Sequence, residues 1–354
     1  MLSELIQRLS VVSFPILLTA GVMLLALVIY ALLAGADYGG GVWDLLASGP
    51  RAQEQRKLVE KALGPVWEAN HVWLIFAVVL LFSGFPMAYG ALSTALNIPL
   101  TIMVLGIVLR GTSFTFRHYD RHGDAAEHRW GRLFGISSVI TPVMLGICIG
   151  AISTGRIRVR GGTVVSGFLH PWMELFPIVT GLFALALFAY LAAVYLTVET
   201  EDRALQDDFR KRALITAVVV GALAFTALML STSHAPLTSE GMMYSEWSMP
   251  LQLVTGTLAL GAIASLYWRR YFVARFFAAA QVTMILVGWA IAQFPYLVPP
   301  DISLTDASAP PAVLEILLWS VLAGSVILVP SLIYLIRLFK SGEQMKKAIT
   351  STDV

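Results

Sequence analysis

The chain has 354 residues, of which 57% are hydrophobic and 13% charged, and its net charge is +2. A water-soluble domain carries roughly 25% charged residues, so half the expected charge is missing and a soluble protein is excluded. The small net charge leaves no basic field for nucleic acid, and the one cysteine, Cys148, cannot form an internal disulfide.

A helix that crosses a bilayer needs about 20 mostly apolar residues. Nine stretches meet that requirement: 11–33, 71–89, 91–109, 133–152, 175–198, 213–233, 249–268, 276–298 and 312–336. Within them the one Asp, Glu, Lys or Arg is Glu315, within snorkelling reach of the surface and read as structural. Barrel strands would instead show segments of about 10 residues with alternating polarity. The fold class expected is therefore all-α: a polytopic membrane protein of about nine spans, with residues 1–354 forming a single membrane domain.

The connections orient the spans. Of the 24 Lys and Arg residues, 20 fall in alternate connections starting with the one after the first span. The positive-inside rule then places the N-terminus outside and the C-terminus in the cytoplasm. Segment 34–70 is the largest cytoplasmic connection, and its mixed-charge stretch from Arg51 to Lys61 predicts a surface helix. Arg156, Arg158 and Arg160 break the charge bias on the outer side; lipid headgroups and a partner protein are both open readings for them. Segment 299–312, rich in Pro, Ser and Ala, is an outer loop.

Ionisable groups at span ends carry the functional expectations. The densest set comprises Asp37 in Gly35-Ala-Asp-Tyr-Gly, the run Gly64-Pro-Val-Trp-Glu-Ala-Asn-His-Val-Trp73, and Arg110 at the end of the third span. One reading is a helix start anchored by interfacial Trp67 and Trp73, with Glu68 placed where the helix dipole favours a carboxylate. The other is a proton path: Glu68 and His71 are three apart and share a helix face, Asp37 adds a second acid, and Arg110 keeps one carboxylate ionised. A di-iron bundle needs Glu-x-x-His twice, and the motif occurs once. No metal site is expected. As haem ligands the histidines have little support: His118, His122 and His128 lie in an Arg-rich loop, and His170 and His234 near outer span ends. To this point a transporter and a respiratory-complex subunit fit equally.

Three segments together resemble subunit II of cytochrome bd-type terminal oxidases. Gly35-Ala-Asp37-Tyr-Gly39 is similar to the family's Gly-Phe-Asp-x-Gly. Gly64-Pro-Val-Trp67-Glu68-Ala-Asn70-His-Val-Trp73-Leu-Ile, followed by Phe85-Pro86, is similar to its Gly-Pro-Val-Trp-Asp-Gly-Asn-x-Val-Trp-Leu-Ile and later Phe-Pro. Phe294-Pro295-Tyr296 through Pro299, Leu304 and Ala307-Ser308 resembles the outer loop before its last span. Arg110, Phe114 and Arg117 match an Arg-x-x-x-Phe-acid-Tyr-Arg pattern.

The resemblance implies a haem-free, nine-helix subunit that pairs as a heterodimer with a haem-bearing subunit I, in a complex that reduces oxygen to water with electrons from quinol. The haems, b with d-type or b only, are then expected in subunit I. A small single-span subunit, membrane lipid and a quinone are further expected partners, and the bacterial cytoplasmic (inner) membrane is the expected location. The resemblance carries Asp37, Trp67, Glu68, Asn70 and Arg110 over as motif positions, with the acids on a cytoplasmic proton path. The sequence departs from the pattern at Glu68, one methylene longer than the usual Asp, and at Thr115, which replaces an acid. His71 stands where Gln or Glu is usual. These departures leave cytochrome c open as the donor in place of quinol. The alternative from another class is a proton-coupled secondary transporter using Glu68, His71 and Asp37.

Overall fold

The computed structural model describes residues 12–63, 67–119 and 124–350. His122 lies outside the described residues, as do the side chains of Trp67, Glu68, His118 and His128. Helices dominate: α1 (Phe14–Leu45), α2 (Ala52–Leu63), α3 (Trp67–Gly84), α4 (Pro86–Ala95), α5 (Asn97–Tyr119), α6 (Asp124–Ser153), α7 (Leu175–Leu196), α8 (Arg203–His234), α9 (Pro236–Ser239), α10 (Ser248–Tyr267), α11 (Tyr271–Gln293), α12 (Leu304–Ala307) and α13 (Pro311–Thr350). Two short hairpins, β1 (Val159–Arg160) with β2 (Thr163–Val164) and β3 (Tyr296–Val298) with β4 (Ile302–Ser303), sit in connections between spans.

Among the described residues eight helices are each long and apolar enough to cross a membrane, and nine spans result when the bent pair α3–α4 counts as one. That pair bends by 118°. Pro86 lacks the N–H that would continue α3 and pushes Phe85 out of helical backbone, to φ −137° and ψ 60°. The windows 71–89 and 91–109 therefore misplace this turn: it falls at Phe85, and the third span starts at Asn97. With a rise of about 27 Å, α3 nearly matches a hydrocarbon core of about 30 Å, and α4 lies across its end.

The largest correction concerns the first span. The sequence predicts its end at residue 33, but α1 continues to Leu45. Glycine is a poor helix former, yet Gly39, Gly40 and Gly41 lie inside this helix. In the folded chain they admit neighbours. A Cβ on Gly39 would stand 2.0 Å from the Phe188 carbonyl oxygen, and one on Gly41 would stand 2.1 Å from Ser138 Oγ. Small residues let helices approach this closely where lipid gives no hydrophobic drive. At the other end of the chain, the window 276–298 overruns α11, which stops at Gln293.

Packing divides into two clusters. The inner one joins the C-terminal half of α1 to α2, α6, α7, α8 and α11, through Tyr38, Trp43, Val59, Phe134, Phe188 and Phe209. The outer one gathers Ile16, Phe85, Leu96, Cys148, Ile157 and Ile302 beneath the hairpins. The expected surface helix between Arg51 and Lys61 is α2, which turns Leu58, Val59 and Leu63 onto the inner cluster.

Candidate functional site

Arg110 is 1% exposed, in the C-terminal half of α5, and its guanidinium meets Asp37 of α1, itself 2% exposed. Nη2 donates to Oδ1 at 2.8 Å and Nη1 to Oδ2 at 3.1 Å, the parallel fork that guanidinium and carboxylate geometry favours. Nη2 also donates to the Asp37 carbonyl at 3.2 Å, and Nε to Ser138 Oγ at 3.0 Å. Ser138 passes its own hydroxyl hydrogen to the Phe134 carbonyl at 2.7 Å, which leaves its lone pairs for Arg110. The guanidinium carbon lies 4.9 Å from the Tyr38 ring centroid and 4.8 Å from that of Phe134. Two buried charges thus neutralise each other, and ring faces cover the cation.

Beside this pair stands His71 of α3. Its ring lies 5.9 Å from that of Tyr38, edge to face, and 6.1 Å from that of Tyr30. The Tyr30 hydroxyl reaches the Tyr38 hydroxyl at 3.5 Å, a long contact. The His71 Nδ1 atom is enclosed and has no hydrogen-bond partner among the described residues. Asn70 is buried, and Trp73 packs edge-on to Phe76 against the inner cluster. Asp37, His71 and Arg110, singled out from sequence, therefore converge. Glu68 lies in the first turn of α3, one turn before His71.

Sequence reasoning missed Tyr30, Tyr38 and Ser138, which enclose the pair. It also missed Asp44, assigned to a loop. Asp44 is in α1, 3% exposed, and receives Arg117 Nη1 at 3.1 and 3.2 Å. Glu60 of α2 lies 4.0 Å from the same guanidinium. Nearby, Trp43 Nε1 donates to the Ala189 carbonyl at 2.8 Å, and Arg51 forks onto Asp208 of α8, tying α2 to the bundle.

The other end of the fold differs in kind. A cavity of about 380 Å³ lies between α1, α3 and α11, lined by side chains such as Leu24, Ala77, Trp289, Gln293 and Leu297. Outside it, Arg158 forks onto Asp301 at 2.9 and 2.9 Å, and Arg156 pairs with Glu174. Two of the three outer arginines thus tie loops of the chain together. Asp301 also accepts from the Val159 N–H at 2.8 Å, and its hydrogen bonds to Arg158 hold its carboxyl below the usual range. His170 approaches Glu174 at 3.6 Å, and His234 Nδ1 lies 2.7 Å from the Ser233 hydroxyl. Among the described residues no group of three or more His, Cys, Asp or Glu comes together as a metal site.

The family model for cytochrome bd terminal oxidase subunit II matches residues 15–339. The chain belongs to that family. This subunit II is 24% identical over 325 residues to a Bacillus subtilis (strain 168) protein assigned by name to cytochrome bd menaquinol oxidase subunit II, an alignment that takes in 88% of this chain and 91% of the relative. A second Bacillus subtilis (strain 168) relative, cytochrome bd ubiquinol oxidase subunit 2, is 27% identical over 202 residues, covering 55% of this chain and 57% of its own. Among solved structures, the bd oxidase from Geobacillus thermodenitrificans matches with a TM-score of 0.73 at 20% identity, over 92% of this chain and 99% of that chain. The expected fold class, a bundle of membrane-crossing helices, is borne out, and subunit II is a component of an oxidoreductase complex with a subunit I.

Proposed function

We propose that subunit II pairs with a haem-bearing subunit I in a bacterial cytoplasmic membrane, and that the Asp37–Arg110 end takes up protons for the oxygen chemistry of that partner, driven by quinol oxidation. The observation that carries this reading is the buried fork between Asp37 and Arg110 with His71 beside it. Buried ionisable groups at a span end are costly and mark proton or ion routes in membrane proteins. The fork supports a division of labour. The fork matches both carboxylate oxygens to both terminal guanidinium nitrogens in a site at most 2% exposed, so Asp37 is the counter-charge of Arg110. The movable proton belongs to Glu68 and His71, one turn apart on α3, with the enclosed Nδ1 of His71 ready to take or give it. The basic connections lie at this end, so the positive-inside rule gives uptake from the cytoplasm.

The test is oxygen consumption by the assembled complex carrying Glu68→Gln or His71→Phe. Turnover is expected to fall by roughly a hundredfold, the lower end of the range for lost proton transfer, with the reduced-minus-oxidised haem spectrum unchanged. Normal turnover in both variants with full haem content rejects the path. Feeding the complex quinol or reduced cytochrome c in parallel identifies the donor.

A further inference from the structure

The Asp37–Arg110 pair is one of two in register. Asp44 follows Asp37 by seven residues on α1, and Arg117 follows Arg110 by seven on α5, so the two pairs form matched rungs two helical turns, about 10.5 Å, apart. Exposure rises outward along the rungs. Asp37 and Arg110 side chains are both 2% exposed, Asp44 and Arg117 4% and 9%, and Glu60 is 36%. The family's acid between Phe114 and Arg117 is absent here. Thr115 in its place is exposed, and its hydroxyl bonds back to the Gly111 carbonyl of its own helix at 3.1 Å.

We infer that Asp44, with Glu60 outside it, is the surface-side proton-relay residue of this path and supplies from α1 the carboxylate that α5 lacks. The inference rests on the proton-uptake reading above. Among the described residues the charged groups facing Asp44 are Arg117 from α5 and Arg56 and Glu60 from α2. In the relay step a hydronium ion at the surface gives its proton to the Asp44 carboxylate, leaving water and a neutral acid. While Asp44 is neutral, Glu60 remains as the counter-charge of Arg117. The acid then releases the proton inward to water on the His71 side and returns to carboxylate, so one proton moves and no other bond changes.

The test uses the complete oxidase in membranes, with oxygen consumption followed against pH and haem content read from the spectrum. Asp44→Asn is expected to lower turnover by about a hundredfold at pH 8, where protons are scarce, and less at pH 6, with full haem content. Asp44→Glu is expected to restore it. Wild-type turnover and pH profile in Asp44→Asn overturn the inference. When Glu68→Gln is slow beside a normal Asp44→Asn, this inference alone fails; when both are normal, the underlying uptake reading fails too. If Asp44→Asn loses haem, Glu60→Gln at its half-exposed position decides. A steeper loss of turnover toward high pH supports the relay, and an unchanged profile overturns it.

Discussion

The two halves of α1 belong to one helix and meet opposite surroundings. From Leu17 to Leu27 it lines the apolar cavity, Leu25 is 56% exposed, and a Cβ on Gly21 would have nothing within 4 Å. From Ala34 to Asp44 every residue except Ala36 is buried. There Gly39 touches the backbone of α7, and Asp37 and Asp44 each hold an arginine of α5. The same residue type thus has two meanings along one helix. Glycine in the first half marks space, and in the second it marks contact. The difference also separates two kinds of ion pair: one removed from solvent, which must stay matched, and one at the outer loops, where water shares the charge.

The strongest break in that contrast is Arg110→Met. It leaves the Asp37 carboxylate buried and unpaired, and removing one partner of a buried pair typically costs about 3–5 kcal/mol. The variant complex is expected to lose assembly, read as a fall in Tm or in recovered haem. Asp37→Leu combined with Arg110→Met removes both charges and is expected to regain much of that stability without turnover. Next in size, Gly39→Ala drives a methyl group into the Phe188 carbonyl, an overpacking cost of about 1–3 kcal/mol. Gly21→Ala in the other half of α1 is expected to be silent or slightly stabilising in the same thermal unfolding assay. A loss there equal to that of Gly39→Ala would erase the distinction.

The smallest effect belongs to the outer pair. Arg158 holds the Asp301 carboxyl below its usual range, so the folded chain keeps the charged form to lower pH than the unfolded chain does. The resulting stabilisation is complete above the ordinary carboxylate value near pH 4, and is lost as pH falls through the depressed one. The Tm difference between wild type and Asp301→Asn is expected to close across that interval, and to shrink in about 1 M salt. A difference that widens toward acid contradicts the pairing.

The spans were legible because 20-residue apolar runs admit few alternatives. Asp37 and Arg110 were legible because charge is scarce where they stand. The continuation of α1 was not, since glycine weakens a helix by local propensity while its use here, at Gly39 and Gly41, depends on Phe188 and Ser138 far along the chain. Asp44 was hidden by that same error, although its seven-residue step from Asp37 repeats the step from Arg110 to Arg117. The partners of Arg158 and Arg156 carry no periodic signal, because Asp301 stands 143 residues away from Arg158 and meets it only through the folding of two loops. The turn at Phe85 was readable in principle from Pro86.

The matched pairs also constrain how the chain enters a bilayer. Insertion of a lone Asp or Arg at the centre of a span is penalised by about 2.5–3.5 kcal/mol on translocon scales. Here the acids stand on α1 and the arginines on α5. Neither helix can settle at its final depth alone with its charge satisfied, and each completes the other once α5 emerges. The two ion pairs therefore couple α1 to α5 energetically across the bent α3–α4 pair that separates them in the chain.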